Sequence, residues 1–276
     1  MTLQLDSTVT LNDGIEMPRL GLGVFKSEPG AETENAVRWA IEAGYRHIDT
    51  ASLYANEASV GAGIRASELP RSEVFVTTKV WNTDQGYDAT LRAFDRSLVE
   101  LGFDYVDLYL VHWPVPARGL AGETWRALEA IKAEGRSRSI GVSNFEPHHL
   151  DQLAETSEVV PSVNQVELHP YLQQQHLQEY CAEHGIRLEA WSPLAKGAVV
   201  DDAMLTRIGN RHGKTPVQVT VRWMLQKGIV TIPKSVKQQR IVANADVFDF
   251  ELSPDEMAEI ETLDRDGRTG PHPDTF

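Results

Sequence analysis

The strongest constraint on this chain is a rhythm of eight short apolar runs, each followed by sequence with helical spacing. The runs are LGLGVF (20–25), HID (47–49), VFVTTKV (74–80), VDLYLVHW (106–113), SIGVS (139–143), VNQVEL (163–168), RLEAWS (187–192) and IVTIP (229–233). Most are rich in β-branched or aromatic residues and too short for helices, which predicts buried strands. After the first run, Val37, Ala40, Ile41 and Gly44 recur at helical spacing, with Gly44 as a stop. Thr215-Pro216 reads as the cap and first turn of a helix, and Ser253-Pro254 with Glu256 as a capping box. Strands that alternate with helices run parallel, so the pattern predicts an α/β fold, a (β/α)8 TIM barrel. Ahead of it, TVTLNDGIEMP (8–18) sets Asp13-Gly14 between two strand-like runs and reads as a hairpin plugging the N-terminal end. Residues 198–213 are extra material between the seventh strand and its helix. The tail 264–276, rich in Gly, Pro and Asp, reads as a loop.

No Ser/Gly linker or charge block divides the chain, so 1–276 is read as one domain. The only cysteine is Cys181, which excludes an intramolecular disulfide and a cysteine-built zinc site. With 26 basic and 40 acidic residues, the net charge of −14 argues against general nucleic-acid binding. An anionic cofactor stays compatible, because a few local cations outweigh a distributed field. The first residues lack the basic and apolar regions of a signal peptide, and no stretch is apolar enough to span a membrane. A soluble cytoplasmic protein is expected, and, without sustained heptads, a monomer.

In a barrel of this kind, functional side chains gather at the C-terminal ends of the strands. The second run ends in Asp49, with Tyr54 in the loop beyond; Lys79 lies near the end of the third and His112 ends the fourth. Carbonyl reduction needs such a set. Hydride arriving at carbon puts negative charge on oxygen, which must be protonated or held by donors. A free tyrosine titrates at about 10, too high for easy proton donation near neutrality. Lys79 is expected to lower that value, while Asp49 holds Lys79 and keeps it protonated. His112 would orient the carbonyl oxygen. Acid catalysis of this kind is worth roughly 10²–10⁴ in rate. Each residue alone also has a structural reading, and spacing leaves both open. Phe25, Trp81, Trp113 and Phe145 follow strand ends, where they would wall a substrate pocket or pack in the core. His148, His149 and His169 form no HxH or HExxH pattern, so no metal is expected. GLGVF (21–25) is no dinucleotide fingerprint.

The surrounding segments are more specific. GYRHIDTASLYANE (44–57), TTKVW (77–81), LVHWP (110–114), GVSNF (141–145), NQVELHP (164–170), WSPLAKG (191–197) and IPKSVKQQRIVAN (232–244) together resemble the aldo-keto reductase family. The likeness runs in order from about Leu20 to Leu263, and the short loops and WSPL are similar to the bacterial branch that includes diketogluconate reductases. The resemblance implies a catalytic tetrad of Asp49, Tyr54, Lys79 and His112 with Tyr54 as proton donor, and NADPH as cofactor. It implies that Ser143, Asn144 and Gln165 bond the nicotinamide carboxamide and that Trp191 stacks on the ring. Ser192, Pro193 and Leu194 match the pyrophosphate-side loop. Ile232, Lys234, Ser235, Val236 and Arg240, with Ala243 and Asn244, match the 2′-phosphate and adenine site. A Lys and an Arg six residues apart, with a hydroxyl between, also suit a phosphate dianion by themselves.

One departure stands out: where the family often has Glu-Asn, this chain has Ala243-Asn244, which weakens the expected grip on adenine. The tail 264–276 resembles the loop that folds over the substrate site. The implied activity is NADPH-dependent reduction of aldehydes or ketones, α-dicarbonyls among them. Two rivals remain. One is a cofactor-binding sensor with negligible turnover. The other is a lyase in which Lys79 forms a Schiff base, which needs a neutral lysine and is opposed by Asp49.

Overall fold

The computed structural model describes residues 3–276. The eight apolar runs pair as one parallel sheet in sequence order: β3 (Leu22–Gly23), β4 (His47–Asp49), β5 (Phe75–Val80), β6 (Val106–Val111), β7 (Ser137–Ser143), β8 (Val163–Glu167), β9 (Arg187–Trp191) and β10 (Val230–Thr231). The outer strands meet, because Leu20 bridges Thr231 and Gly23 bridges Lys234 in parallel. The ring is thereby closed. At this seam a Cβ on Gly23 would lie 2.9 Å from the Ile232 carbonyl oxygen, so only glycine permits the approach.

Outside the ring run α1 (Ala31–Glu42), α2 (Glu57–Arg65), α3 (Tyr87–Leu101), α4 (Ala121–Ala133), α5 (Pro147–Ala154), α6 (Gln175–Glu183), α7 (Ala203–His212), α8 (Pro216–Gln226), α9 (Gln238–Ala245) and α10 (Pro254–Glu261). The expected caps form. Thr215 and Gln218 make a reciprocal capping box on α8, and Ser253 and Glu256 make another on α10. Gly44 follows α1 in the left-handed region at φ 99°. The extra segment 198–213 is more ordered than its sequence suggested. It contains α7, whose first turn is held by Asp202 accepting from Met204 N and Leu205 N at 2.9 Å each. Residues 264–276 contain no helix or strand, as expected.

Strand parity sorts the side chains. Alternate residues face opposite sides of a strand. Ile48, Val76, Val80, Tyr109, Val111 and Ala190 pack in the main core cluster beneath the helices. Their neighbours His47, Asp49, Thr77, Lys79, Glu189 and Trp191 belong to the opposite face. The floor of the ring is sealed by the hairpin β1 (Thr8–Thr10) and β2 (Glu16–Pro18). Val9, Leu11 and Met17 pack there against Phe75, Leu108, Leu110, Val163 and Val230 as a second cluster. The turn between them is pinned by Asp13, whose carboxylate accepts from Lys132, from Ser139 at 2.9 Å and from Ser162 at 3.0 Å. With the lower end closed, chemistry is left to the upper rim.

Candidate active site

Asp49 ends β4, and the chain then turns through a 3-10 segment, Ser52–Tyr54, that carries the phenol. Two local bonds fix this turn. Ser52 donates to the Lys79 carbonyl at 2.9 Å, and Thr50 donates to Asn56 at 2.8 Å. Asn56 in turn donates to the Val24 and Ser27 carbonyls at 3.0 and 3.2 Å. That tie brings the loop after β3 alongside, and the Phe25 ring lies 5.0 Å from that of Tyr54.

Lys79 and Asp49 are buried on the inward face. The ammonium donates to both Asp49 oxygens, at 2.7 and 2.8 Å, and to the Thr50 carbonyl at 2.9 Å. All three of its hydrogens are thereby used. Burial pulls the Lys79 pKa down, but Asp49, Tyr54 and Glu189 together outweigh it and the net direction is up, so the group is an ammonium. Its Nζ lies 5.2 Å from the Tyr54 ring centre.

Here the structure corrects the sequence. The Tyr54 phenol was expected below its ordinary value, yet it is pushed up to about 12. Burial is the largest cause and outweighs the Lys79 charge, which comes second; Asp49 and, once it ionises, Glu189 add to the rise. The carboxylate that holds Lys79 cancels part of its field. Tyr54 therefore keeps its proton at any ordinary pH. A neutral phenol still protonates an alkoxide downhill, because an alkoxide is the stronger base.

His112 follows β6, packed edge-on against Tyr54 at 5.8 Å and against Trp81 at 5.0 Å between ring centres. Burial, then the Lys79 charge, lowers its pKa well below the usual range. It is a neutral imidazole, with one N–H to offer a carbonyl oxygen. Asn144 donates to the His112 carbonyl at 2.9 Å and holds the backbone there.

Of the aromatics that follow strand ends, Phe25 packs on Tyr54 and Trp81 on His112. Phe276, the last residue, lies 4.4 Å from Trp113 and 6.1 Å from Trp81, so the tail reaches the same rim. Phe145 differs from the pocket reading. It is only 1% exposed and packs on His149 in the core, with its carbonyl accepting from Asn164 at 2.8 Å. Glu167 latches the tail by accepting from Gly270 N at 2.9 Å and from both the backbone and hydroxyl of Thr269.

Across the rim, Ser143 ends β7, Gln165 lies within β8 and Trp191 ends β9. Asn144 takes the left-handed backbone at φ 64°, accessible to asparagine. Its amide accepts from Trp191 Nε1 at 2.8 Å and donates to Ser143 at 3.0 Å, while Ser143 donates to the Gln165 carbonyl at 2.7 Å. Ser192, Pro193 and Leu194 form the bend after β9, with Ser192 at φ 51°. Ile232 and Ser235 are buried beside the seam, Val236 is half-buried, and Asn244 is buried within α9. Lys234, Arg240 and Ala243 are exposed. Lys234 donates to the Lys26 carbonyl at 3.1 Å across the seam. Among the described residues, neither Lys234 nor Arg240 pairs with a carboxylate, in a chain whose excess charge is negative.

His148 and His149, read as lacking a convergent ligand set, are joined by Asp274 of the tail at 2.9 and 3.2 Å. His149 Nδ1 accepts from the Glu146 backbone N–H at 3.1 Å, which leaves the ring proton on Nε2, facing Asp274. In that tautomer the nitrogen carries a proton and offers no lone pair to a metal. Two residues escaped the sequence reading: His47 and Glu189, both buried on the inward face. Each lies two positions before a recognised residue, Asp49 and Trp191, and strand parity would have found them.

The aldo/keto reductase family model matches residues 19–265. The chain belongs to the aldo/keto reductase family. As an aldo/keto reductase it is 53% identical over 274 residues to the glyoxal reductase of Bacillus subtilis, covering 99% of each chain. It is 46% identical to the methylglyoxal reductase of Salmonella typhimurium, covering 97% of each. The crystal structure of a Gox0644 variant in complex with NADPH superposes with a TM-score of 0.94 at 48% identity, covering 98% of both chains. The Gox0644 structure therefore shares the fold described above. No helix among the described residues is long and apolar enough to cross a membrane.

Proposed function

We propose that this chain reduces aldehydes and ketones to alcohols with NADPH, α-dicarbonyls among its substrates, and that Tyr54 donates the proton. The observation that carries the reading is the convergence of a neutral buried phenol, an ammonium and a neutral imidazole on one rim. Ser143, Asn144 and Gln165 would hold the carboxamide, Trp191 the ring face, Ser192, Pro193 and Leu194 the pyrophosphate side, and Lys234, Ser235 and Arg240 the 2′-phosphate. The two unpaired cations fit a phosphate dianion. Bound there, NADPH supplies the hydride.

The chain's own residues do the rest. His112 orients the carbonyl oxygen through its N–H, Tyr54 gives its proton to that oxygen, and the nearby Lys79 ammonium stabilises the phenolate left behind. Asp49 keeps Lys79 charged. The same geometry opposes a Schiff base, since Lys79 has no free lone pair. The likeness to glyoxal and methylglyoxal reductases supports small dicarbonyls as the substrate class.

The test is NADPH oxidation over a carbonyl panel containing glyoxal and methylglyoxal, with NADH in parallel and Tyr54→Phe as control. Turnover lost in the variant while NADPH binding persists supports the proposal. Retention of most kcat by Tyr54→Phe would remove Tyr54 as donor. Tight NADPH binding without turnover on any carbonyl would favour a cofactor sensor instead.

A further inference from the structure

The barrel holds two inward carboxyl groups below Tyr54 and a single ammonium. Asp49 is bonded to Lys79 through both oxygens, whereas Glu189 on β9 is fully buried without a cation of its own. Facing it are His47 and Asp49 from β4, Lys79 from β5, Gln165 from β8, and Tyr54 from the turn above. His47 Nε2 lies 3.6 Å from Glu189 Oε1 but is no counterion, since burial and then the Lys79 charge lower its pKa to about 3. Glu189 Oε2 accepts from Gln165 Nε2 at 2.8 Å, and Oε1 has no hydrogen-bond partner among the described residues. Burial, then the Asp49 charge, pushes the Glu189 carboxyl up to about 8. It carries a proton at neutral pH.

Gln165 is caught between the two. Its Nε2 has two hydrogens; one goes to Asp49 Oδ2 at 2.7 Å and the other to Glu189. An ionised carboxylate only accepts, so Asp49 fixes which end of the amide faces inward. Oε1 is left as the remaining acceptor. We propose that Glu189 is a positioning residue for the nicotinamide end of the cofactor site, clamping the Gln165 amide with Asp49 so that Oε1 receives the carboxamide N–H. This assignment rests on the NADPH site proposed above. Held by Asp49 alone, the Gln165 amide could still swing about that one bond; the second bond, to Glu189, removes that freedom before cofactor arrives.

Binding of NADPH and of adenosine 2′,5′-bisphosphate, which lacks the nicotinamide, tests this in the full chain. Glu189→Leu is expected to weaken NADPH about tenfold, the loss of one buried hydrogen bond, and to leave the bisphosphate within about twofold. Glu189→Gln, whose amide oxygen still accepts from Gln165, should stay within about threefold for both ligands. A second readout does not depend on the leucine variant folding. Turnover of the natural chain should fall as pH rises through about 8, because ionised Glu189 adds a negative charge that holds the Tyr54 proton more tightly. Glu189→Gln should lack that descending limb. Equal weakening of both ligands by leucine, unchanged NADPH binding, or a limb that persists in Glu189→Gln would each overturn the proposal. If the natural chain binds the bisphosphate but not NADPH, the nicotinamide site and this assignment fall together. If it binds neither, the whole cofactor reading falls first.

Discussion

Replacing Glu167 by glutamine should unlatch the C-terminal tail. Glu167 is fully buried, and burial alone would raise its carboxyl. Donors from His169, Thr269 and Gly270 outweigh that and hold it at about 2, against an ordinary value of 4.5. That difference corresponds to ~3 kcal/mol favouring the ionised, latched form. Because the folded value is depressed, the contribution is fully present above the ordinary value and is lost as pH falls through about 2. In the glutamine variant the charge is gone. The side-chain oxygen can keep Thr269, but the amide NH2 then confronts the Gly270 N–H, donor against donor. A cost of about 2–3 kcal/mol to the latch is expected, or roughly 30–150-fold more frequent opening. Amide exchange across 269–276 measures this directly at neutral pH. Carbonyl KM should rise with it, since Phe276 loses its place against Trp113 and Trp81, while NADPH affinity changes little. Exchange in the variant within threefold of the natural chain would refute the reasoning.

Asp49→Asn strips the buried Lys79 ammonium of its countercharge, and a stability loss of about 3–5 kcal/mol is expected in denaturant titration, with turnover falling in parallel. Arg240→Ala should raise the KM for NADPH far more than that for NADH; equal effects on the two would remove Arg240 from phosphate recognition. Asp13→Ala breaks three side-chain contacts at the barrel floor and should lower Tm while kcat stays near that of the natural chain, because the floor lies at the opposite end from Tyr54.

Much of the fold was legible because local chemistry and global architecture agree. Runs such as VFVTTKV are β-branched, short and flanked by helical spacing, and Thr215-Pro216 and Ser253-Pro254 cap helices as their side chains dictate. The outermost runs shrink to the two-residue strands β3 and β10, because ring closure continues through single bridges at the glycine-bearing seam. Asp49, Tyr54, Lys79 and His112 could be placed because each lies near a strand end or in the loop that follows it. Their protonation could not. From sequence, Lys79 is a cation near a phenol; only packing reveals that Asp49 cancels part of its field and that burial dominates Tyr54. The resemblance implied a tail over the site, but the individual contacts of the tail were hidden. Nothing in the spacing of His148 and His149 announces Asp274, and Phe276 meets Trp113 only once the chain has come all the way round.

The barrel floor also has a consequence for the order of assembly. The hairpin is the first described element to emerge during synthesis, yet Asp13 finds its partners 119, 126 and 149 positions further along, at Lys132, Ser139 and Ser162. Contacts of such separation repay their loop-closure entropy only after the intervening strands have paired. The plug is therefore made early and seated late. Leu20 then waits still longer, until Thr231 arrives to complete the ring.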